Sequence, residues 1–189
     1  VRIGPHELQD TFLLPFEMAV KLEKAHSLMP AYHDLDGEPM HQSIHYLQKV
    51  LREQWGFDGI IVSDYEGIAQ LFVEHKTQPD IAAAAAAALR AGVDVELPGD
   101  TAYREGLKQA LDRGDLDMTV VDQAVLRHLI WKFRLGLFDK PYVDEGSILP
   151  DLAKHDELAY RAAVKSIVLL KNDGILPLNE PGKIALLGP

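Results

Sequence analysis

The residues best placed to do chemistry are acidic side chains that close short apolar runs. Asp64 ends the run Gly59-Ile60-Ile61-Val62-Ser63, Asp34 follows the segment 26–32 through His33, and Glu96 lies in the run Val93-Asp94-Val95-Glu96-Leu97. Carboxylates fixed at the ends of buried strands suit glycosidic-bond hydrolysis. One carboxylate attacks the anomeric carbon and a second carboxyl protonates the leaving oxygen. The attacking group must stay ionised on a rigid support, which a strand end supplies. Tyr32 and Tyr65, beside Asp34 and Asp64, offer what a sugar pocket needs: an apolar face for ring C–H groups and hydroxyls for hydrogen bonds. A second reading competes. Ser63-Asp64-Tyr65-Glu66 has the spacing of a capping box, in which Ser63 caps a helix, Glu66 reaches back, and Asp64 only favours the helix N-terminus. Asp94 and Glu96 alternate along one strand, and either could be structural.

The elements that would hold these groups follow from periodicity. Residues 5–24 read as a helix with Leu8, Phe12, Phe16 and Val20 near one face, interrupted by Pro15, which kinks or splits it. Residues 26–32 have strand length, and the turn-forming stretch 34–39 follows. Ser43 caps a helix carrying Ile44, Leu47 and Leu51, which Trp55-Gly56 ends. Residues 79–91 form a second helix whose alanine run, 82–88, favours close packing, and Gly92 closes it. Residues 101–113 are helical, and another helix from Thr119 carries Val121, Val125, Leu129 and Phe133 at four-residue steps. The three strands begin near residues 26, 59 and 93, intervals of 33 and 34. An eightfold (β/α) barrel repeats about every 31 residues, and strand–helix alternation at that pitch implies parallel strands. Three units cannot close a barrel, so residues 1–138 are expected to form its C-terminal part. Residues 139–155, with Pro141, Gly146 and Pro150, read as a linker. Residues 156–189 then begin a second α/β domain: a helix over 156–165, a strand over 166–170, a turn at Asn172-Asp173-Gly174 and a strand over 183–187.

Composition excludes several other functions. The chain of 189 residues is 47% hydrophobic and 25% charged, ordinary globular values. Its net charge of −10 argues against a nucleic-acid partner, which would need clustered Lys and Arg. No apolar run is long enough to span a bilayer. Without cysteine there is no disulfide, thiolate metal site or cysteine nucleophile. His41 and His45 are four apart, but no third ligand stands at fitting spacing, so no metal is expected. Neither a phosphate-binding glycine loop nor a Gly-x-Ser-x-Gly elbow occurs, and no cofactor is expected. The N-terminus, Val1-Arg2-Ile3-Gly4, has neither an initiator Met nor a signal peptide's layout, so a start inside a longer protein is expected. Compartment and oligomeric state stay open.

Whole strings sharpen the reading. Ser27-Leu28-Met29-Pro30-Ala31-Tyr32-His33-Asp34-Leu35-Asp36-Gly37-Glu38-Pro39 resembles a strand and turn of glycoside hydrolase family 3. Trp55-Gly56-Phe57-Asp58-Gly59-Ile60-Ile61-Val62-Ser63-Asp64-Tyr65 is similar to the segment that carries that family's nucleophile. Ala91-Gly92-Val93-Asp94-Val95-Glu96-Leu97-Pro98-Gly99 resembles its last barrel strand. Residues 166–178 resemble the opening of its second domain, an α/β sandwich. The resemblance implies an α/β chain, the end of a TIM-type barrel followed by the start of that sandwich. It implies a retaining β-glucosidase or β-xylosidase with Asp64 as nucleophile, acting on a carbohydrate through a covalent glycosyl–enzyme intermediate. Tyr32 matches the tyrosine beside the nucleophile and Tyr65 the aromatic at the pocket rim. Met29 and Glu96 match strand-end blocks near the same pocket. Ser-Asp-Tyr departs from the Ser-Asp-Asp of the family's N-acetylglucosaminidase branch. The general acid/base lies further into the second domain, outside this chain, so the segment alone is expected to be inactive. The alternative is a non-catalytic carbohydrate-binding or structural barrel module.

Overall fold

The structure, a computed structural model, describes residues 1–144, 146, 152–179, 182, 183, 185 and 187. They fall into two compact units, Val1–Pro141 and Tyr142–Pro189.

The centre of the first unit is a short parallel sheet. Strand β1 (Ser27–Leu28) pairs in parallel with β4 (Ile60–Ile61), and Val62 forms a parallel bridge to Val95. Backbone bonds extend the pairing at both flanks, from Ile60 N–H to His26 C=O, Val62 N–H to Leu28 C=O and Ser63 N–H to Val95 C=O. The three segments thus lie side by side in chain order. Parallel neighbours require crossovers, and helices supply them. Between β1 and β4 runs α2 (His45–Gln54), with i→i+5 hydrogen bonding. Between β4 and Val95 run α3 (Gly67–Val73) and α4 (Ile81–Ala91). The hairpin β2 (Asp34–Leu35) and β3 (Glu38–Pro39) turns through Asp36 and Gly37, both at positive φ, as a two-residue hairpin turn requires.

Several helix boundaries follow from identifiable chemistry. Ser43 caps α2: its backbone is extended and its Oγ accepts the Tyr46 N–H at 3.2 Å. Leu47 and Leu51 of α2 are buried, whereas Ile44 is exposed. Asp80 caps α4 by accepting the Ala83 N–H, and Gly92, left-handed at φ 99°, closes it. The helix α1, over 5–21, changes from i→i+5 bonding in Leu8–Leu13 to α-helix in Leu14–Lys21. Pro15 sits in the first turn after that change, where its missing N–H costs least.

Alanine decides the packing of α4. Ala82, Ala84, Ala85, Ala86, Ala88 and Ala91 are all buried, and α4 touches α3, the turn Met40–Gln42 and α5 (102–112). A Cβ added to Gly106 of α5 would stand 3.2 Å from the Ala85 Cβ, so these helices meet at small residues. Ile61, Ile68, Leu71 and Val93 are fully buried beneath them. Burial of each such side chain contributes roughly 1.5–3 kcal/mol.

Three expectations are corrected. The helix α6 (Met118–Arg134) begins behind the cap Asp117, not at Thr119. Its inward stripe runs through Val120, Val121, Ala124 and Trp131, while Val125, Leu129 and Phe133 are exposed. Steps of four residues advance about 400°, so a row at constant i+4 drifts round the helix. In the second unit, α7 (Leu152–Ser166) is helical, but residues 167–170 form no strand and are exposed. Apolar β-branched residues make a strand only against a hydrogen-bonding neighbour, and no strand is present among the described residues of this unit. Its turn is formed: Asn172 Oδ1 accepts from the Gly174 and Leu176 N–H groups. Of the expected strand 183–187, residues 184 and 186 lie outside the described residues, and 183, 185 and 187 have no regular structure.

Candidate active site

Asp64 stands immediately beyond the strand end, half-buried, on a turn closed by the Gly67 N–H donating to its carbonyl at 2.9 Å. The capping-box alternative fails. Ser63 is fully buried, and its Oγ accepts the Leu97 N–H at 2.9 Å instead of capping a helix. The residue preceding α3 is Glu66, left-handed at φ 58°, with no side-chain cap. Glu66 N–H bonds to the Leu97 carbonyl at 3.0 Å. Ser63 and Glu66 thereby tie the turn to the third strand segment. One Asp64 oxygen, Oδ1, accepts the Tyr65 N–H at 2.7 Å.

On the opposite side the turn is held by His41, only 2% exposed. Its Nε2 accepts the Asp64 N–H at 3.1 Å. With Nε2 as acceptor, a neutral imidazole carries its proton on Nδ1. Burial pushes His41 down to about 4 against the opposing pull of the Asp64 charge, so the ring is neutral at pH 7. Gly67 lies against the ring: a Cβ there would be 2.3 Å from Nε2.

Tyr32 meets Asp64 from the neighbouring strand. Its hydroxyl donates to the Tyr65 carbonyl at 2.7 Å, and His75 Nε2 lies 2.9 Å from the Tyr32 carbonyl oxygen. Desolvation raises the Tyr32 hydroxyl above its usual range. The nearby Asp64 carboxylate and the charge of Glu66 push in the same direction. The phenol therefore keeps its proton beside the carboxylate. Tyr65 is 58% exposed, its ring open to solvent.

The other two expected site residues stand apart from this cluster. Both Glu96 oxygens accept backbone N–H groups, from Ala102 at 3.0 Å and Tyr103 at 2.7 Å, at the start of α5. Met29 lines an apolar groove with Leu8, Phe12, Phe16, Met40 and Leu47, whose wall does not include Asp64. Asp94, the other acidic residue of that strand, has a fully buried side chain. It pairs with Arg52 at 2.9 Å and Arg127 at 2.7 Å and accepts the Ile61 N–H. Among the described residues no group of three or more His, Asp or Glu side chains could hold a metal ion. Nor is any helix there long and apolar enough to cross a membrane.

In the sequence His41 stands out only as half of a histidine pair with His45, and nothing there marks Gly67 or His75. Nothing in the spacing links His41 to a backbone N–H 23 residues away.

A parallel strand–helix unit with an acidic turn at a strand end matches a known class. Residues 1–130 match the glycosyl hydrolase family 3 N-terminal domain, and the chain belongs to that family. It is 37% identical to a β-xylosidase of Formosa agariphila over 99% of this chain and 27% of that protein. Among solved structures, a β-glucosidase from Erythrobacter marinus superposes with a TM-score of 0.79 at 40% identity, covering 94% of this chain and 24% of that one. A β-glucosidase from Listeria innocua in complex with glucose gives 0.77 at 35% identity over 94% of this chain and 24% of its own. The chain thus spans about a quarter of the length of these relatives.

Proposed function

We propose that this chain supplies the nucleophile half of a retaining β-glycosidase that releases terminal glucose or xylose from oligosaccharides or glycosides. The observation that carries the reading is the held turn at Asp64. A carboxylate on a strand end, half-open and carried by a residue whose own N–H and C=O are both bonded, is what attack at an anomeric carbon demands. The Tyr32 hydroxyl holds the Tyr65 carbonyl beside that carboxylate, and the open ring of Tyr65 forms the rim of the sugar subsite. Glu96 acts at one remove, through the start of α5, and Met29 lines a separate apolar groove. Relatives named for both xylose and glucose support the substrate class and leave both sugars within it.

In this reading residues 1–138 are the last part of a (β/α)₈ barrel, 139–155 a linker, and 156–189 the opening of an α/β sandwich. The general acid/base comes from outside the 189 residues. The partner is a carbohydrate, with no cofactor. In a full-length enzyme carrying this segment, a 2-fluoroglycoside should esterify Asp64, and Asp64→Asn should lower kcat on an aryl glycoside by on the order of 10⁴-fold. The 189-residue chain alone should release no nitrophenol. Labelling of another carboxylate, or turnover unaffected in Asp64→Asn, would overturn the assignment. Absence of labelling and turnover in the full-length protein would favour a non-catalytic carbohydrate-binding module.

A further inference from the structure

We propose that His41 is a positioning residue for Asp64, a buried acceptor that locks the turn bearing the nucleophile to the strand end bearing Tyr32. The inference rests on Asp64 being the nucleophile. Its basis is hydrogen-bond accounting. Beyond the Ser63 N–H bond to Val95 the sheet pairing stops, so the Asp64 N–H has no strand partner and must find another acceptor. It finds His41 Nε2 at 3.1 Å. The same ring also interacts with the backbone of Ala31, the residue before Tyr32. Its plane lies within 27° of the Tyr32 ring, centroids 6.5 Å apart.

A single imidazole therefore spans the two strand ends whose side chains meet over Asp64. Gly67 holds the ring from beneath, since any Cβ there would enter it. The arrangement fixes the peptide that precedes the Asp64 Cα, and with it the direction in which the carboxylate leaves the backbone. Catalytic groups displaced by about 1 Å can lose on the order of 100-fold in rate.

Three replacements separate the two ring nitrogens. Gln at 41 keeps an acceptor near the Nε2 position, Asn keeps a donor near Nδ1, and Phe keeps ring volume with neither. In the full-length enzyme, His41→Phe should slow 2-fluoroglycoside labelling of Asp64 and kcat by roughly 100-fold, with KM changed far less. His41→Gln should recover most of the loss and His41→Asn little. Wild-type labelling rates in a folded His41→Phe enzyme, or equal defects in the Gln and Phe variants, would overturn the proposal. Should the wild-type enzyme label elsewhere than Asp64, the nucleophile assignment itself falls. If no variant folds, ¹⁵N spectra of the unsubstituted 189-residue chain decide the matter. An unprotonated, hydrogen-bonded Nε2 at His41 supports the proposal, and a proton on Nε2 sinks it.

Discussion

At the scale of single residues, the site is a case of backbone groups satisfied by side chains from distant segments. Ser63 Oγ takes the Leu97 N–H and His41 Nε2 takes the Asp64 N–H, so the strand end keeps its hydrogen bonds where the ladder runs out. A pH dependence follows from His41. Burial lowers its folded pKa to about 4, below the 6.5 of an exposed histidine. Above pH 6.5 both folded and unfolded chains carry it neutral. Between 6.5 and about 4 only the unfolded chain takes up the proton, so stability falls as pH falls, by roughly 1.4 kcal/mol per unit at the steepest. Urea unfolding of the chain across that window should show this slope, and His41→Gln should flatten it. Gly67→Ala should cost about 1–3 kcal/mol through collision with the imidazole, measured by the same titration.

The helices and strands were legible in the sequence to different degrees. The cap at Ser43, the turn at Asp36-Gly37 and the closing Gly92 were readable because each depends on one or two adjacent residues. The face of α6 was misread because a row of four-residue steps is not the inward stripe, and the strand at 167–170 because strand identity belongs to the pair, not the segment. The candidate site divides in the same way. Asp64, Tyr32 and Tyr65 could be chosen from strand-end position, whereas the hold by His41 depends on a contact between segments that no spacing announces. The alanine run was read as packing, and it is: α4 lies against α5 where Ala85 faces Gly106. Ala85→Leu should therefore force the helices apart and cost about 1–3 kcal/mol in chemical denaturation. The same change at exposed Arg90 should be nearly neutral.

Across the first unit, Asp94 joins segments that are far apart in the chain. Arg52 reaches it from α2, Arg127 from α6, and the Ile61 N–H from β4. Arg52 also donates to the carbonyls of Gly59 and Gly92. Removing one member of a buried charged set leaves the others desolvated, at about 3–5 kcal/mol. Asp94→Asn should lose that much, measured by urea unfolding of the chain.

That shared carboxylate bears on how the unit comes apart. Stacked repeats that contact only their neighbours unravel from an end. Asp94, however, is bonded to the repeat before it and to the helix after it, so fraying from either side would strand a charge in the interior. The three strand segments should then open as one cooperative block. In native-state hydrogen exchange, the amides of Ile61, Asp94 and Val95 should share a single opening free energy, close to that of global unfolding, and Asp94→Asn should split them.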